Sequence, residues 1–77
     1  MKLELYKMDI CPFCRKVFRV IEEMDRSDVE MHDINRNMED RERLICDGGK
    51  LQVPCLFIDG IPLYESDDIV AWLRANP

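Results

Sequence analysis

Residues 2–8, KLELYKM, alternate apolar and polar side chains with Leu3 and Leu5 on one face, and this period of two predicts a strand. The alternation stops at Asp9-Ile10-Cys11-Pro12. From Pro12 to about Met24, the apolar positions Cys14, Val17, Phe18, Ile21 and Met24 recur at the spacing of one helix face. Pro12 suits the first turn of that helix, where a missing N–H leaves no intrahelical bond unmade, and Cys11 then falls at the N-cap. Residues 25–28 are a polar break. Residues 29–35, VEMHDIN, set Val29, Met31 and Asp33 against Glu30, His32 and Ile34, which predicts a second strand. Asn37 is placed to cap a second helix through MEDRERLIC, with a charged solvent face and Gly48-Gly49 as its stop. Two short strands follow, residues 55–58 and 61–64, joined by Asp59-Gly60, a dipeptide suited to a two-residue hairpin turn. Ser66 is expected to cap a last helix, with Asp67 and Asp68 in its first turn and Ile69, Val70, Trp72 and Leu73 as its buried stripe.

The order β-α-β-α-β-β-α predicts an α/β architecture over residues 1–77, a single domain with a mixed four-stranded sheet and helices on its faces. Repeats, linkers and low-complexity segments are missing. The 77 residues are 47% apolar and 35% charged, an ordinary balance for a folded globular chain. No apolar run approaches the roughly 20 residues that span a bilayer, so no membrane role is expected. MKLELYKMDI has charges at alternate positions and no small-residue cleavage site, unlike a signal peptide, and a cytoplasmic protein is the expectation. The net charge of −5, from 16 acidic and 11 basic residues, argues against nucleic acid as a partner. The basic residues are unevenly spread: Arg15, Lys16 and Arg19 cluster just after Cys11 and Cys14.

That cysteine pair carries the candidate chemistry. Four cysteines in a small secreted chain would suggest staples, but in a reducing compartment a close pair points to catalysis or metal binding. Positions i and i+3 at a helix start put both sulfurs on one face of one turn, within bridging reach. Cys11 meets the free backbone N–H groups and positive dipole end, which favour a thiolate, and Arg15 and Lys16 add positive field. Cys14 belongs to the apolar stripe and should stay protonated longer, so Cys11 is the nucleophile and Cys14 the resolving thiol. The competing readings are two inert core thiols and half of a zinc site. Zinc asks for four ligands, usually as two tight pairs. Cys46 and Cys55 are separated by a glycine turn rather than paired, and His32 lies on a predicted strand, so no metal is expected. Cys46 and Cys55 are expected in the core, as are Trp72 and the aromatics other than Phe13.

With these residues in place, the chain resembles a glutaredoxin. CPFC after a first strand is similar to that family's Cys-Pro-Tyr-Cys, QVP at residues 52–54 resembles its Thr-Val-Pro, and ESDDI at residues 65–69 resembles the glutathione-binding segment opening the last helix. YES at residues 64–66, leading into a helix, also resembles the N-terminal domain of glutathione transferases, where a Glu-Ser pair holds the γ-glutamyl group. The resemblance implies a thioredoxin-like fold with Pro54 in cis opposite Cys11. It implies Val53 offering its backbone to the cysteinyl part of glutathione beside Gln52, and Glu65, Ser66 and Asp67 holding the γ-glutamyl end. Phe13, between the cysteines, is expected to line the groove. Met8 stands where many glutaredoxins carry a lysine for the glycyl carboxylate, leaving Lys7 and Lys50 as the candidate cations. The implied activity is glutathione-dependent reduction of protein disulfides or of glutathionylated proteins by a monomer. The alternatives are a redoxin reduced by thioredoxin reductase and a non-catalytic glutathione-binding module like a transferase N-terminal domain.

Overall fold

The computed structural model describes all 77 residues. The elements run β1 (Leu3–Lys7), α1 (Pro12–Glu23), β2 (Val29–Asp33), α2 (Met38–Gly48), β3 (Cys55–Ile58), β4 (Ile61–Tyr64) and α3 (Ser66–Ala75). The four strands form one sheet in the order β2-β1-β3-β4, a thioredoxin-like α/β arrangement. β1 and β2 are parallel, Leu3 opposite Val29, while β1–β3 and β3–β4 are antiparallel. The parallel pair needs a crossover, which α1 supplies; the β3–β4 pair needs only a tight turn. Asp59 and Gly60 make that turn with φ of 50° and 85°, the left-handed values a mirror-image hairpin turn requires.

The period of two on the central strands sorts side chains to two faces. Leu3, Leu5 and Leu56 point to one, where Val17 and Ile21 of α1 and Ile69 and Leu73 of α3 cover them. Tyr6, Cys55 and Phe57 point to the other and meet Ile34 and Leu44, the latter from α2. Each fully buried side chain of this size contributes roughly 1.5–3 kcal/mol relative to an exposed one. Val70 and Trp72 pack half-buried against the first cluster rather than inside it.

Helix ends are set by local chemistry. Asn37 caps α2, its side chain accepting from the N–H groups of Glu39 and Asp40 at 2.9 and 3.3 Å. Gly49 closes α2 at φ 84°, its N–H donating to the Ile45 carbonyl. After α1, Arg26 donates from Nη1 to the carbonyls of Leu73 and Asn76 at 2.9 and 2.7 Å, tying that loop to the end of α3. No helix is long and apolar enough to cross a membrane.

A dithiol helix start beside a small cleft

Cys11 is the N-cap of α1, with extended backbone (φ −77°, ψ 121°), and Pro12 is the first helical residue. The Cys11 N–H donates back to the Met8 carbonyl at 3.2 Å, and its own carbonyl accepts from the Arg15 N–H at 3.0 Å. Cys11 is partly exposed, whereas Cys14, one turn on, is fully buried. Burial pushes the Cys14 thiol up to about 12, and the Cys11 side chain, in hydrogen-bonding contact with it, pushes the same way. A backbone bond at Met8 and the Lys7 charge pull less strongly in the other direction. The two thiols of the motif therefore sit in unlike surroundings.

Two of the three basic residues after the pair are committed to neighbours. Arg15 donates from Nε to the Asp9 carbonyl at 3.0 Å, bracing the loop that leads into Cys11. Lys16 pairs with Asp67 across to α3.

Beside the dithiol lies a cleft of about 320 Å³, within the range of small-ligand sites. Three segments build it: Phe13 from the first turn of α1, Gln52, Val53 and Pro54 from the chain entering β3, and Glu65, Ser66 and Asp67 from the start of α3. The Val53–Pro54 peptide bond is cis. Phe13 is largely exposed at the cleft.

The start of α3 corrects one expectation. Ser66 does not cap the helix; it is the first helical residue and is buried, and Glu65 takes the N-cap position with no side-chain capping bond. The reason is the sharp entry from β4: Glu65 sits at φ 70°, ψ 120°, and this reversal turns the Ser66 side chain inward. Such a backbone costs a non-glycine residue on the order of 1–3 kcal/mol and is characteristic of functional sites. Glu65 also accepts from the Gln52 amide at 3.3 Å, linking two walls of the cleft.

Neither lysine expected at the glycyl end lines the cleft. Lys7 Nζ lies 2.5 Å from Asp9 and 3.6 Å from Asp33, over the Phe18 ring. Lys50 Nζ lies 4.4 Å from the centre of the Tyr64 ring. Cys55 is buried behind the cleft; burial pushes its thiol up to about 11 against the pull of a hydrogen bond with Tyr64. Cys46 corrects a second expectation. It is exposed rather than in the core, because α2 turns Leu44 alone fully inward and leaves the next turn in solvent.

On the α2 face of the sheet is a polar cluster that periodicity did not reveal. Glu4, only 3% exposed, accepts from Arg43 Nη1 at 2.7 Å, and the same nitrogen donates to the Tyr6 hydroxyl at 2.9 Å. The His32 ring stacks on Tyr6 at 4.8 Å and meets Asp40 through Nδ1 at 3.0 Å. Burial alone would raise the Glu4 carboxyl, but the Arg43 hydrogen bond and charge, with Lys2 and His32, outweigh it and hold the carboxyl below its ordinary range. Glu4, Glu30 and His32 bring possible metal-ligand atoms within 4.8 Å of one another, yet Lys2 and Arg43 already bring positive charge to these carboxylates. The one available signal was Glu4, a carboxylate alternating with Leu3 and Leu5 on a strand that proves central.

Comparison with known proteins gives the architecture its relatives. No curated protein matches the chain in sequence. Among solved structures, the thioredoxin-like protein BC3987 superposes with a TM-score of 0.81 at 24% identity, covering 96% of this chain and 97% of that one. Glutathione transferase Omega 3C from Trametes versicolor gives 0.83 at 20% identity, over 97% of this chain but 33% of the transferase. The holo form of glutaredoxin C1 from Populus tremula x tremuloides gives 0.72 at 18% identity, covering 96% and 75%. This chain thus spans about a third of the transferase and most of the glutaredoxin. At such identities the likeness speaks for the fold, which glutaredoxins and glutathione transferases share with it. Residues 5–77 match the family described as the glutathione S-transferase N-terminal domain, and the chain belongs to that family.

Proposed function

We propose that the protein is a glutathione-dependent thiol–disulfide oxidoreductase acting through Cys11 and Cys14. The observation that carries this reading is the contrast between the two thiols: Cys11 reaches solvent at a helix start, and Cys14 is buried and held protonated directly behind it. The Cys11 sulfur attacks a disulfide, the old S–S bond breaks, and the leaving thiolate takes a proton from water. The resulting mixed disulfide is resolved by Cys14, which loses its proton and closes a Cys11–Cys14 bond, or by a glutathione thiol from solution. Two glutathione molecules return the pair to dithiols and leave as glutathione disulfide. In the cleft, Val53 offers backbone groups to the cysteinyl part of glutathione, a small case of strand addition. The start of α3 receives the γ-glutamyl carboxylate, and Asp67 accepts from its ammonium. The protein substrates are disulfide-containing or glutathionylated proteins, the working form is a monomer, and the compartment is the cytoplasm, whose reducing poise favours free thiols.

The test is modification by glutathione disulfide followed by intact mass. A Cys14→Ser variant gains one glutathione, removable by dithiothreitol, and a Cys11→Ser variant gains none at the motif; if neither variant is modified, the reading fails.

The family match favours a second reading, a glutathione-binding module like the N-terminal third of a transferase. Such a module has no need of Cys14. Under it, the two variants bind glutathione alike and neither exchanges disulfides.

A further inference from the structure

We propose that the cleft prefers γ-glutamylcysteinyl thiols whose far end carries no carboxylate: amides, esters or amine conjugates of glutathione rather than the free tripeptide. The inference rests on the glutathione reading and narrows its substrate class. Glutathione at neutral pH carries an ammonium and two carboxylates. The γ-glutamyl carboxylate and ammonium have partners in the N-terminus of α3 and in Asp67. The glycyl carboxylate has none, for the cleft contains two carboxylates, Glu65 and Asp67, and no lysine or arginine.

The cations near enough to help are already engaged. Lys7 is held between Asp9 and Asp33, Lys50 lies over Tyr64, and Arg15 is bonded to the Asp9 carbonyl. Lys16 is paired with Asp67, at the γ-glutamyl end. The Gln52 amide, the one neutral side-chain N–H donor facing the cleft, donates to Glu65. A second carboxylate entering here meets like charge with no free cation to answer it, in a protein whose net charge is already −5. A neutral end escapes that repulsion, and an amine end gains from Glu65. With Asp67 answered by Lys16, the one uncompensated charge, on Glu65, at about 8 Å across water changes an equilibrium by about two- to threefold in the absence of salt.

A competition in the full-length Cys14→Ser protein tests this. Glutathione disulfide and the disulfide of glutathione glycyl ethyl ester are supplied together in equal amounts, and the two Cys11 adducts are resolved by mass. In each exchange the Cys11 thiolate displaces one half of a symmetrical disulfide, so the adduct ratio reports the far end alone. We expect the ester adduct to lead by about twofold at about 0.01 M salt and the ratio to approach one at about 1 M, where charges are screened within about 3 Å. Gln52→Lys supplies the missing cation and should bring the ratio below one. No lead at low salt, a lead that salt does not reduce, or no response to Gln52→Lys overturns the preference. Absence of both adducts is a different result: it removes the glutathione reading itself.

Discussion

The two faces of the sheet are built on different principles. Under α1 and α3 the contact is hydrocarbon alone, from Leu3, Leu5 and Leu56 to Ile69 and Leu73. Under α2, Tyr6, Phe57 and Cys55 share their face with Glu4, Arg43 and His32, so its packing depends on a charge being answered. The apolar face carries the dithiol helix and gives Cys14 the dry surroundings that hold its proton. An ionised group placed there would have nothing to answer it. On the α2 face the buried carboxylate of Glu4 is answered within its own cluster by Arg43. Apolar packing has no preferred direction, whereas the Glu4–Arg43 bond fixes where α2 sits along β1.

Three measurements break or sharpen this contrast. The largest effect is expected on the apolar face: Leu56→Ala removes a fully buried side chain and should cost about 2–5 kcal/mol in denaturant unfolding. Cys14 should also alkylate faster in that variant, and an unchanged alkylation rate would separate Cys14's inertness from the packing. Next is Arg43→Met, which leaves Glu4 buried beside only Lys2 and His32 and should cost about 2–3 kcal/mol, less than loss of a fully enclosed pair because Arg43 is 35% exposed. Adding Glu4→Met should recover part of the loss; a double variant worse than the single would mean the cluster supports more than its own ion pair. The smallest effect is in pH dependence. Glu4 titrates lower folded than unfolded, so its pairing stabilises the protein fully above its ordinary value of 4.5. That contribution is lost as pH falls from there through the lowered folded value. The acid-side fall in melting temperature should therefore be shallower in Arg43→Met than in the unaltered protein, and parallel curves would remove Glu4 from the account.

What the sequence made legible was whatever a few neighbouring residues decide. Asp59-Gly60 fixes the β3–β4 turn, Asn37 caps α2, and Pro12 marks the first turn of α1 with Cys11 before it. The three cleft segments were legible as motifs because each is a short local run. Illegible were contacts made across the chain. The answer to Glu4 comes from Arg43, 39 residues on, and only the parallel β1–β2 pairing sets Lys7 beside Asp33 and so holds it away from the cleft. Ser66 as cap was a sound local inference that failed for a non-local reason: the chain leaves β4 so sharply that Glu65 must take the capping position at positive φ.

The burial of Cys14 also sets a clock. A thiol that burial keeps protonated is slow to become an attacking thiolate, so under the proposed function a mixed disulfide on Cys11 would wait on a deprotonation inside the fold. During that wait, any abundant thiol in solution has repeated chances to resolve the intermediate first. Two cysteines in the motif then need not mean a two-cysteine route. The ratio of outside thiol to internal deprotonation would then choose the path at each turnover, with the internal branch gaining as pH rises.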